Sequence, residues 1–406
     1  MTDSKKQRSP RMRGISKRIG FVLATLASLY VLAVALVMTP IIQTYVLYAH
    51  HIDAWPWYNK FDHPEHYGLA PGKTVNLKLH SADNTTLGAW FLFSESFYRQ
   101  LPYPPPSNDD FSFPQRKYIP EALQSRPTIL FLHGNTGTRA HPLRTVVYTA
   151  LTSRLNANIM AVDYRGYGDS EGHPTVHGVG QDARAAWDYL MSQGAKPEDV
   201  LILGHSLGTA IAGLLSSELS REGIHARGTV LLSAFSSVRK LIDEYYLFGC
   251  LPLLKPLSMV PLAPRLVTWS LVHRFDTLSL VPDIKSSVLI AHADDDKDIP
   301  STHASLLFEA FMGPHLPSSP SIPENPLSHQ AWDNYTAQEI IHDRTRQEVA
   351  VTTAIKGYGV HEEMKPHVVA SEGRKVALLR TDRGGHDIGR VEGVQDAIGR
   401  MFGFYD

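Results

Sequence analysis

Residues 200–208 read Val-Leu-Ile-Leu-Gly-His-Ser-Leu-Gly, and this stretch decides the fold. Its four apolar residues predict a buried strand, its Gly-x-Ser-x-Gly pentapeptide predicts a sharp turn, and residues 209–219 (TAIAGLLSSEL) predict the helix that follows. Gly204 and Gly208 are small enough to let strand and helix approach each other beneath the turn. The pattern is typical of a nucleophile elbow, and Ser206 is the candidate nucleophile.

Short apolar runs before and after the elbow predict one mixed sheet. The first two runs form an antiparallel pair, and the others are separated mostly by helical patterns, which indicates parallel strands joined by crossover helices. The fold class is therefore α/β, with an eight-stranded, mostly parallel sheet, flanking helices and the elbow strand fifth. The eight predicted strands are 74–80, 87–93, 128–132, 159–163, 200–203, 229–233, 288–291 and 376–379.

A serine nucleophile needs a histidine base and a carboxylate that orients it, and on this fold class the acid precedes the histidine in the chain. Residues 292–300 (HADDDKDIP) follow the seventh strand and offer four aspartates. We choose Asp296 as the acid, with Asp295 as the alternative. His386 follows the last strand in the glycine-rich stretch 381–388 (TDRGGHDI), where the general base is expected.

Donors for the negative charge that develops on the substrate oxygen are predicted in two places. One is the backbone N–H of Asn135 in the loop 133–139 (HGNTGTR), and the other is the N–H of Leu207 after the nucleophile. His133 is expected to brace this loop. The acids and the arginine of residues 163–170 (DYRGYGDS) could contact substrate, but a loop-stabilising network is the favoured interpretation.

These motifs resemble the alpha/beta-hydrolase superfamily, and within it the membrane-anchored lipases. The resemblance implies an alpha/beta-hydrolase fold, the triad Ser206, Asp296 and His386, and action on monoacylglycerols and lysophospholipids, notably lysophosphatidylserine. Two insertions and the sequence Ser-Ala-Phe at 233–235 depart from the family pattern and leave the substrate open. The motifs that carry the resemblance are 133–140, 163–172, 204–210 and 292–300.

The amino terminus predicts a membrane anchor. Residues 1–18 carry seven basic residues and one acidic residue, a net charge of +6, so the rest of the chain carries −7. An uncharged run follows, and we assign 19–39 as a transmembrane signal anchor with the head in the cytoplasm. A cleaved signal peptide, with a site at Ala33-Val34-Ala35, is the alternative. The net negative charge of the rest of the chain argues against nucleic acid as a partner. The expected partners are the membrane and a lipid substrate.

The anchor's orientation places the catalytic part in the lumen of a membrane compartment, with the endoplasmic reticulum as the expected location. Asn84 and Asn334 are glycosylation acceptors by sequence, as expected for a lumenal domain. Cys250 is the only cysteine, so no internal disulfide can form. Residues 40–73 form a linker whose aromatic residues indicate either a collar at the membrane interface or packing on the domain.

The hydrolase domain spans 74–406 and is interrupted three times. Residues 238–284 predict an apolar cap over the site, residues 98–127 a surface insertion, and residues 313–372 a second insertion without an assigned role. His361 and His367, in that insertion, are treated as surface residues. No cofactor or metal is predicted. A lipase is the favoured function; a protein depalmitoylase or other esterase on the same triad, or a non-enzymatic scaffold, are the alternatives.

Overall fold

The computed structural model describes residues 10–52, 59–105, 114–244, 246–247, 251–252, 263–318, 320–369 and 373–405. The strands are β1 Thr74–His80, β2 Thr86–Leu92, β3 Thr128–Leu132, β4 Asn158–Val162, β5 Val200–His205, β6 Gly228–Leu232, β7 Tyr246–Leu247, β8 Leu251–Pro252, β9 Val288–Ala293, β10 Ala350–Ile355, β11 Gly359–Met364 and β12 Val376–Thr381. The α-helices are α1 Pro10–Val37, α2 Pro40–Tyr48, α3 Glu95–Tyr98, α4 Ile119–Ser125, α5 Pro142–Arg154, α6 Val176–Ser192, α7 Leu207–Arg221, α8 Val238–Glu244, α9 Ala263–Ser270, α10 Thr277–Leu280, α11 Thr302–Met312, α12 His329–Val349 and α13 Glu392–Met401.

One sheet carries all eight predicted strands, in the order β1-β2-β4-β3-β5-β6-β9-β12-β11-β10. The opening pair β1 and β2 is antiparallel, whereas β4, β3, β5, β6, β9 and β12 run parallel to one another. The elbow strand β5 lies between β3 and β6, near the middle of the sheet. The carboxyl ends of the parallel strands therefore meet at one edge, where ligands bind in open α/β sheets.

The sheet is buried on both faces because its central strands are predominantly apolar. Alternate side chains of β3 enter different hydrophobic clusters: Leu130 and Leu132 pack on one side, Ile129 and Phe131 on the other. Helices α6, α7 and α11 contribute to the first cluster, and α5 and α13 to the second. The result is a three-layer arrangement that holds the end of β5 in a rigid frame.

The sheet has ten strands where the sequence predicted eight. The additional strands are β10 and β11, an antiparallel hairpin that extends the sheet beyond β12. Both lie in the insertion 313–372, and neither β10 (AVTTAI) nor β11 (GVHEEM) has a regular alternation of apolar and polar residues that signals a strand. Five of the six residues of β10 are exposed, as an edge strand allows, and the turn uses Gly357 at φ 73°.

The predicted cap is only partly within the described residues. Helices α8, α9 and α10 and the short strands β7 and β8 are present in 238–284. Residues 245, 248–250 and 253–262, which include most of the apolar stretch that suggested a cap, lie outside the described residues. The apolar cap over the site therefore remains a prediction.

The insertion 98–127 does not lie wholly on the surface as predicted. Its helix α4 buries three apolar side chains in the core: Ile119, Ala122 and Leu123. The proline-rich composition of the segment obscured this short helix. Residues 106–113 lie outside the described residues.

Helix α1 contains the predicted membrane span. Residues 18–37 have a mean hydropathy of 2.4 and are nearly all exposed, as a helix surrounded by lipid would be. Helix α2 follows after two residues. Of the aromatic residues in the linker, Tyr48 is buried on the domain, as the packing interpretation expects, while Tyr45 is half-exposed. A collar at the membrane interface stays a prediction. Trp55, Trp57 and Tyr58 lie outside the described residues.

Candidate active site

Ser206 lies at the sharp turn between β5 and α7 that the sequence predicted. Its backbone has φ 53° and ψ −119°, a strained conformation for a residue with a side chain. The turn is held by hydrogen bonds from the Ser206 N–H to the Leu232 carbonyl (2.9 Å) and from the Thr209 N–H to the Ser206 carbonyl (2.9 Å). A strained backbone conformation that the surrounding hydrogen bonds hold in place is typical of a functional residue.

The two elbow glycines are required by close packing. A Cβ atom on Gly204 would lie 2.3 Å from the Gly208 carbonyl oxygen, and one on Gly208 would lie 2.0 Å from the Leu132 carbonyl oxygen. Both contacts are to backbone atoms, which cannot rotate away. The prediction that strand and helix approach each other closely beneath the serine is confirmed.

Replacing Gly208 by alanine is therefore expected to lower the free energy of unfolding by more than about 3 kcal/mol, because β3 or α7 must shift. Gly180→Ala is the matched control, since a Cβ at Gly180 in α6 meets nothing closer than 3.8 Å. That variant is expected to be unchanged or up to about 1 kcal/mol more stable. Denaturant unfolding of both variants checks the prediction, and equal midpoints would contradict it.

The structure brings His386 and Asp296 together from two loops at the carboxyl edge of the sheet. His386 Nδ1 lies 2.9 Å from Asp296 Oδ2, and the carboxylate itself is fully buried. Asp296 Oδ1 accepts hydrogen bonds from the N–H groups of Asp298 (2.8 Å) and Ile299 (3.0 Å). The carboxylate is therefore fixed in the orientation that a histidine partner needs.

A second histidine, which the sequence did not single out, also contacts Asp296. His292 Nε2 lies 3.2 Å from Asp296 Oδ2 and 2.9 Å from the Ile299 carbonyl oxygen. Both neighbours are acceptors, so Nε2 carries the proton and donates it. His292 is the first residue of the HADDDKDIP motif and is completely buried. Its contact with Asp296 Oδ2 helps to fix the position of that carboxylate.

The alternative acid, Asp295, points elsewhere. Its Oδ1 accepts a hydrogen bond from the Gly385 N–H (2.7 Å), one residue before His386. Asp294 accepts a hydrogen bond from the Ser301 hydroxyl (2.7 Å), and Asp298 is exposed at the cavity. Of the four aspartates, Asp296 is the one whose carboxylate contacts the His386 ring in the structure.

The pKa values of this pair shift in opposite directions. Burial favours the neutral acid at Asp296, but hydrogen bonds from His292 and His386 outweigh burial and hold its pKa well below the usual range. Burial disfavours the charged imidazolium of His386, yet the hydrogen bond to Asp296 and that group's negative charge raise the His386 pKa. The pair thus favours an ionised acid beside a histidine that accepts a proton readily.

The backbone of His386 is fixed as well. Its carbonyl oxygen accepts hydrogen bonds from His205 Nε2 (2.9 Å) and from the Ser233 hydroxyl (2.7 Å). Burial and the neighbouring His386 lower the pKa of His205 to about 4, so His205 is neutral at physiological pH. His205 lies within the elbow motif and Ser233 directly after β6, so both were visible in the sequence without an assigned role.

The two predicted oxyanion donors lie on either side of the nucleophile's cavity: Asn135 in the loop after β3, and Leu207 directly after Ser206. Gly134 packs so closely that a Cβ on it would lie 3.1 Å from Ser206 Cβ. The Asn135 N–H makes no hydrogen bond within the described part of the chain, and Leu207 is the first residue of α7, whose N–H has no intrahelical partner. Asn135, Ser206 and Leu207 line one cavity.

Arg144, which no sequence signal indicated, holds this loop in shape. It is a buried cation in α5 and forms no ion pair with a carboxylate among the described residues. Its guanidinium instead donates hydrogen bonds to four carbonyl groups of the loop. Because the C=O and N–H of one peptide group point in opposite directions, the N–H groups of these peptides point away from Arg144. The acceptors are the carbonyls of Gly134 (3.1 Å), Asn135 (3.1 Å), Thr136 (2.6 Å) and Thr138 (2.7 Å).

Arg144→Ala is expected to lower kcat about 10²-fold with a smaller change in KM, because the loop loses its fixed shape. Arg144→Lys should restore only part of the activity, since an ammonium cannot reach four carbonyls at once. Arg154→Ala, which removes an arginine paired with Glu392 and Asp396 at the end of the same helix, is the control. Equal kcat values for the two alanine variants would contradict the prediction.

His133 and the charged residues of the segment 163–170 form a network that stabilises loops, which was the favoured interpretation of the sequence. His133 is buried, and its Nδ1 donates to the Gly134 carbonyl (2.7 Å). Asp163 is buried against the guanidinium of Arg139, while Arg165 pairs with Asp182. None of these groups lines the cavity at Ser206. They support loops rather than contact a ligand there.

The cavity at Ser206 has a volume of about 440 Å³ and is lined by both polar and apolar groups. The polar part comes from Asn135, Thr136, His141, Arg144, His205, Ser206, Asp298, His386 and Asp387. The apolar part comes from Leu47, Phe131, Leu143, Val147, Leu207, Leu232, Phe235, Leu241 and Ile299. A cavity lined by both polar and apolar groups suits a ligand that has a polar reactive group and an apolar body.

Three potential metal ligands also meet here. One ligand atom each of Asp296, Asp298 and His386 lies within 4.8 Å of the others. However, the Asp296 carboxylate already accepts from His386, His292 and two backbone N–H groups. A cation would have to compete with these bonds, so the arrangement favours proton transfer over metal binding.

The predicted glycosylation acceptors are both exposed. Asn84 lies in the turn between β1 and β2 with φ 63°, and Asn334 lies on α12. His361 is half-buried on β11, while His367 is exposed, and both are outside the cavity at Ser206.

Comparison with known proteins identifies the family. Residues 129–390, which include the elbow, the Asp296 loop and the His386 loop, match the model of the alpha/beta hydrolase family. The chain belongs to the alpha/beta hydrolase family. Among curated proteins, this hydrolase is 30% identical over 300 residues to lysophosphatidylserine lipase ABHD12 of Xenopus tropicalis, with 72% of each chain covered. It is 28% identical over 307 residues to the Danio rerio protein of that name, with 74% of each chain covered.

A solved structure supports the same fold. The crystal structure of an alpha-beta hydrolase from Vibrio vulnificus has a TM-score of 0.52 and 16% identity, and the match covers 89% of this hydrolase and 94% of that chain. This likeness concerns the fold alone. The lipase relatives support lipid ester hydrolysis as the general activity, and together with the apolar helix α1 they support a single-pass membrane hydrolase.

Proposed function

We propose that this protein is a serine hydrolase that cleaves carboxylic esters of lipids, with monoacylglycerols and lysophospholipids such as lysophosphatidylserine as the substrate class. The observation that carries the proposal is the 2.9 Å contact between His386 and Asp296 at a cavity that Ser206 also lines. The similarity to lysophosphatidylserine lipases supports the choice of a lipid ester.

The reaction is a two-step acyl transfer. His386 takes the proton from the Ser206 hydroxyl, and the oxygen attacks the ester carbonyl carbon. The N–H groups of Asn135 and Leu207 donate to the oxyanion, and Asp296 stabilises the imidazolium. His386 then protonates the departing alcohol. Water, deprotonated by His386, releases the fatty acid and restores the Ser206 hydroxyl.

The cavity lining supports an ester with an acyl chain. Its apolar walls offer contact to a hydrocarbon chain, while the guanidinium of Arg144 adds positive charge beside the predicted oxyanion site. The anchor α1 would keep this site close to a bilayer, where such substrates are concentrated.

A substrate panel tests the proposal. The full-length protein in detergent micelles is given lysophosphatidylserine, a monoacylglycerol and a palmitoylated peptide, and release of fatty acid is measured. We expect hydrolysis of at least one of the two oxygen esters. Activity confined to the thioester peptide would replace the lipase by a depalmitoylase, and no activity on any of them would refute the proposal.

We also propose that the catalytic domain faces the lumen, with the endoplasmic reticulum as the compartment. The basic head (residues 1–18), which precedes the apolar part of α1, favours a cytoplasmic amino terminus, and exposed Asn84 and Asn334 are available for glycosylation. Glycosidase treatment should increase the gel mobility of the wild type but not of the Asn84→Gln, Asn334→Gln double variant. Protease access to the domain in sealed microsomes would contradict this orientation.

A further inference from the structure

Helix α2, which follows the membrane span, is attached to the catalytic domain beside the cavity. Tyr48, at its carboxyl end, is completely buried and packs edge-to-face on the ring of His273, with 4.9 Å between the ring centroids. Near its start, Gln43 donates to the Ser270 carbonyl (2.9 Å) and accepts from the Val272 N–H (2.9 Å). The helix is therefore fixed at both ends and is not a free tether.

The carboxyl end of α2 holds the predicted oxyanion loop. Carbonyl groups in the last turn of a helix have no intrahelical partner, and here the loop supplies the donors. The Tyr48 carbonyl accepts from the Thr136 N–H (3.1 Å), and the Leu47 carbonyl lies 3.4 Å from Asn135 Nδ2. Just beyond the helix, the Ile52 carbonyl accepts from the Gly137 N–H (2.9 Å).

The side chain of Leu47 lines the same cavity as Ser206 and His386. Val46, directly before it, is 63% exposed, and Ile41 at the start of the helix is 68% exposed. One apolar residue of α2 thus faces the site while the next one toward the amino terminus faces outward. Other apolar groups of the lining, among them Phe235 and Leu241, come from the segment after β6.

We infer that α2 is a working part of the active site: Leu47 contacts the acyl chain of the substrate and sets which chain lengths are accepted, while the carboxyl end of the helix positions the oxyanion loop. This inference rests on the proposed ester hydrolysis. It assigns to the segment beside the membrane a role in substrate choice, because any displacement of α2 moves both a cavity wall and the loop that carries Asn135.

The experiment compares full-length Leu47→Trp with Val46→Trp, the same enlargement at the neighbouring exposed position. The measured quantity is the ratio of kcat/KM for p-nitrophenyl dodecanoate to that for p-nitrophenyl acetate, in detergent micelles. Leu47→Trp is expected to lower this ratio at least about tenfold, because the indole occupies space that the long chain needs and the acetyl group does not. Val46→Trp should leave the ratio within about twofold.

A ratio does not change when a variant merely lowers the amount of folded protein, so it separates chain selection from a structural defect. If Leu47→Trp does not fold, Leu47→Ala decides instead, and its enlarged cavity is expected to move the preferred acyl length upward. An unchanged chain-length profile in every Leu47 variant that folds would overturn the inference. Failure of the wild type to hydrolyse either ester would refute the proposed function itself, which is a distinguishable result.

Discussion

Replacing Ser206 by alanine is expected to lower kcat for ester hydrolysis about 10⁶-fold and to abolish labelling by a fluorophosphonate probe. The variant keeps the elbow, since alanine removes only the hydroxyl, and no hydrogen bond of that hydroxyl within the described residues supports the fold. The loss therefore reports chemistry. Fatty acid release and gel-based detection of the labelled protein measure the two effects.

The matched control is Ser217→Ala, the same substitution on α7, where the hydroxyl is bonded to the Leu214 carbonyl (2.9 Å). Its side chain is buried and does not line the cavity. We expect wild-type labelling and kcat within about threefold, because one intrahelical hydrogen bond contributes little. Labelling that persists in Ser206→Ala would place the nucleophile elsewhere, and an unlabelled wild type would favour a non-enzymatic scaffold.

The order of the fold could be predicted from the sequence because each central strand is a short apolar run bounded by loops. The elbow was the strongest signal, since Gly204 and Gly208 flank Ser206 at the spacing of a tight strand-to-helix turn, and the structure has no room for a Cβ at either glycine. The hairpin of β10 and β11 was missed because its outer strand β10 is exposed on five of six residues, and its inner strand β11 pairs with β12. A strand that depends on a neighbour distant in sequence has a weak local signature.

The roles of residues that contact partners distant in the sequence could not be predicted from the sequence either. Arg144 has no motif, and its role depends on where α5 places it relative to the loop carbonyls. The attachment of α2 is similar, since Leu47 and Asn135 are 88 residues apart in sequence. By contrast, Ser206 and His386 could be selected because each follows a recognisable strand at the carboxyl edge of the sheet.

Asp295 and Asp296 were hard to separate because both belong to one acidic loop after β9. Adjacent residues in a tight turn point in different directions, and only the turn geometry decides which one reaches the histidine. In the structure, Asp296 contacts the His386 ring, while Asp295 contacts the backbone of Gly385. Both aspartates thus act on the same loop, one on its side chain and one on its main chain.

This difference leads to the second large effect. Asp296→Asn is expected to lower kcat about 10³- to 10⁴-fold, because a neutral amide neither stabilises the imidazolium nor selects the tautomer that can accept the serine proton. Asp295→Asn should cost less than about tenfold, since an amide oxygen can still accept the Gly385 N–H. The pair is a matched comparison, with identical chemistry at adjacent positions.

The pH profile supplies an independent readout for the same variants. His386 must be neutral to act as a base, and the negative charge of Asp296 raises its pKa, so the wild type loses activity as the pH falls through that raised value. Asp296→Asn removes this cause. Its residual kcat/KM should therefore persist to lower pH than in the wild type, whereas the acid limb of Asp295→Asn should move much less. If Asp295→Asn instead shows the larger loss and the larger shift of the acid limb, Asp295 is the carboxylate that orients His386 during turnover.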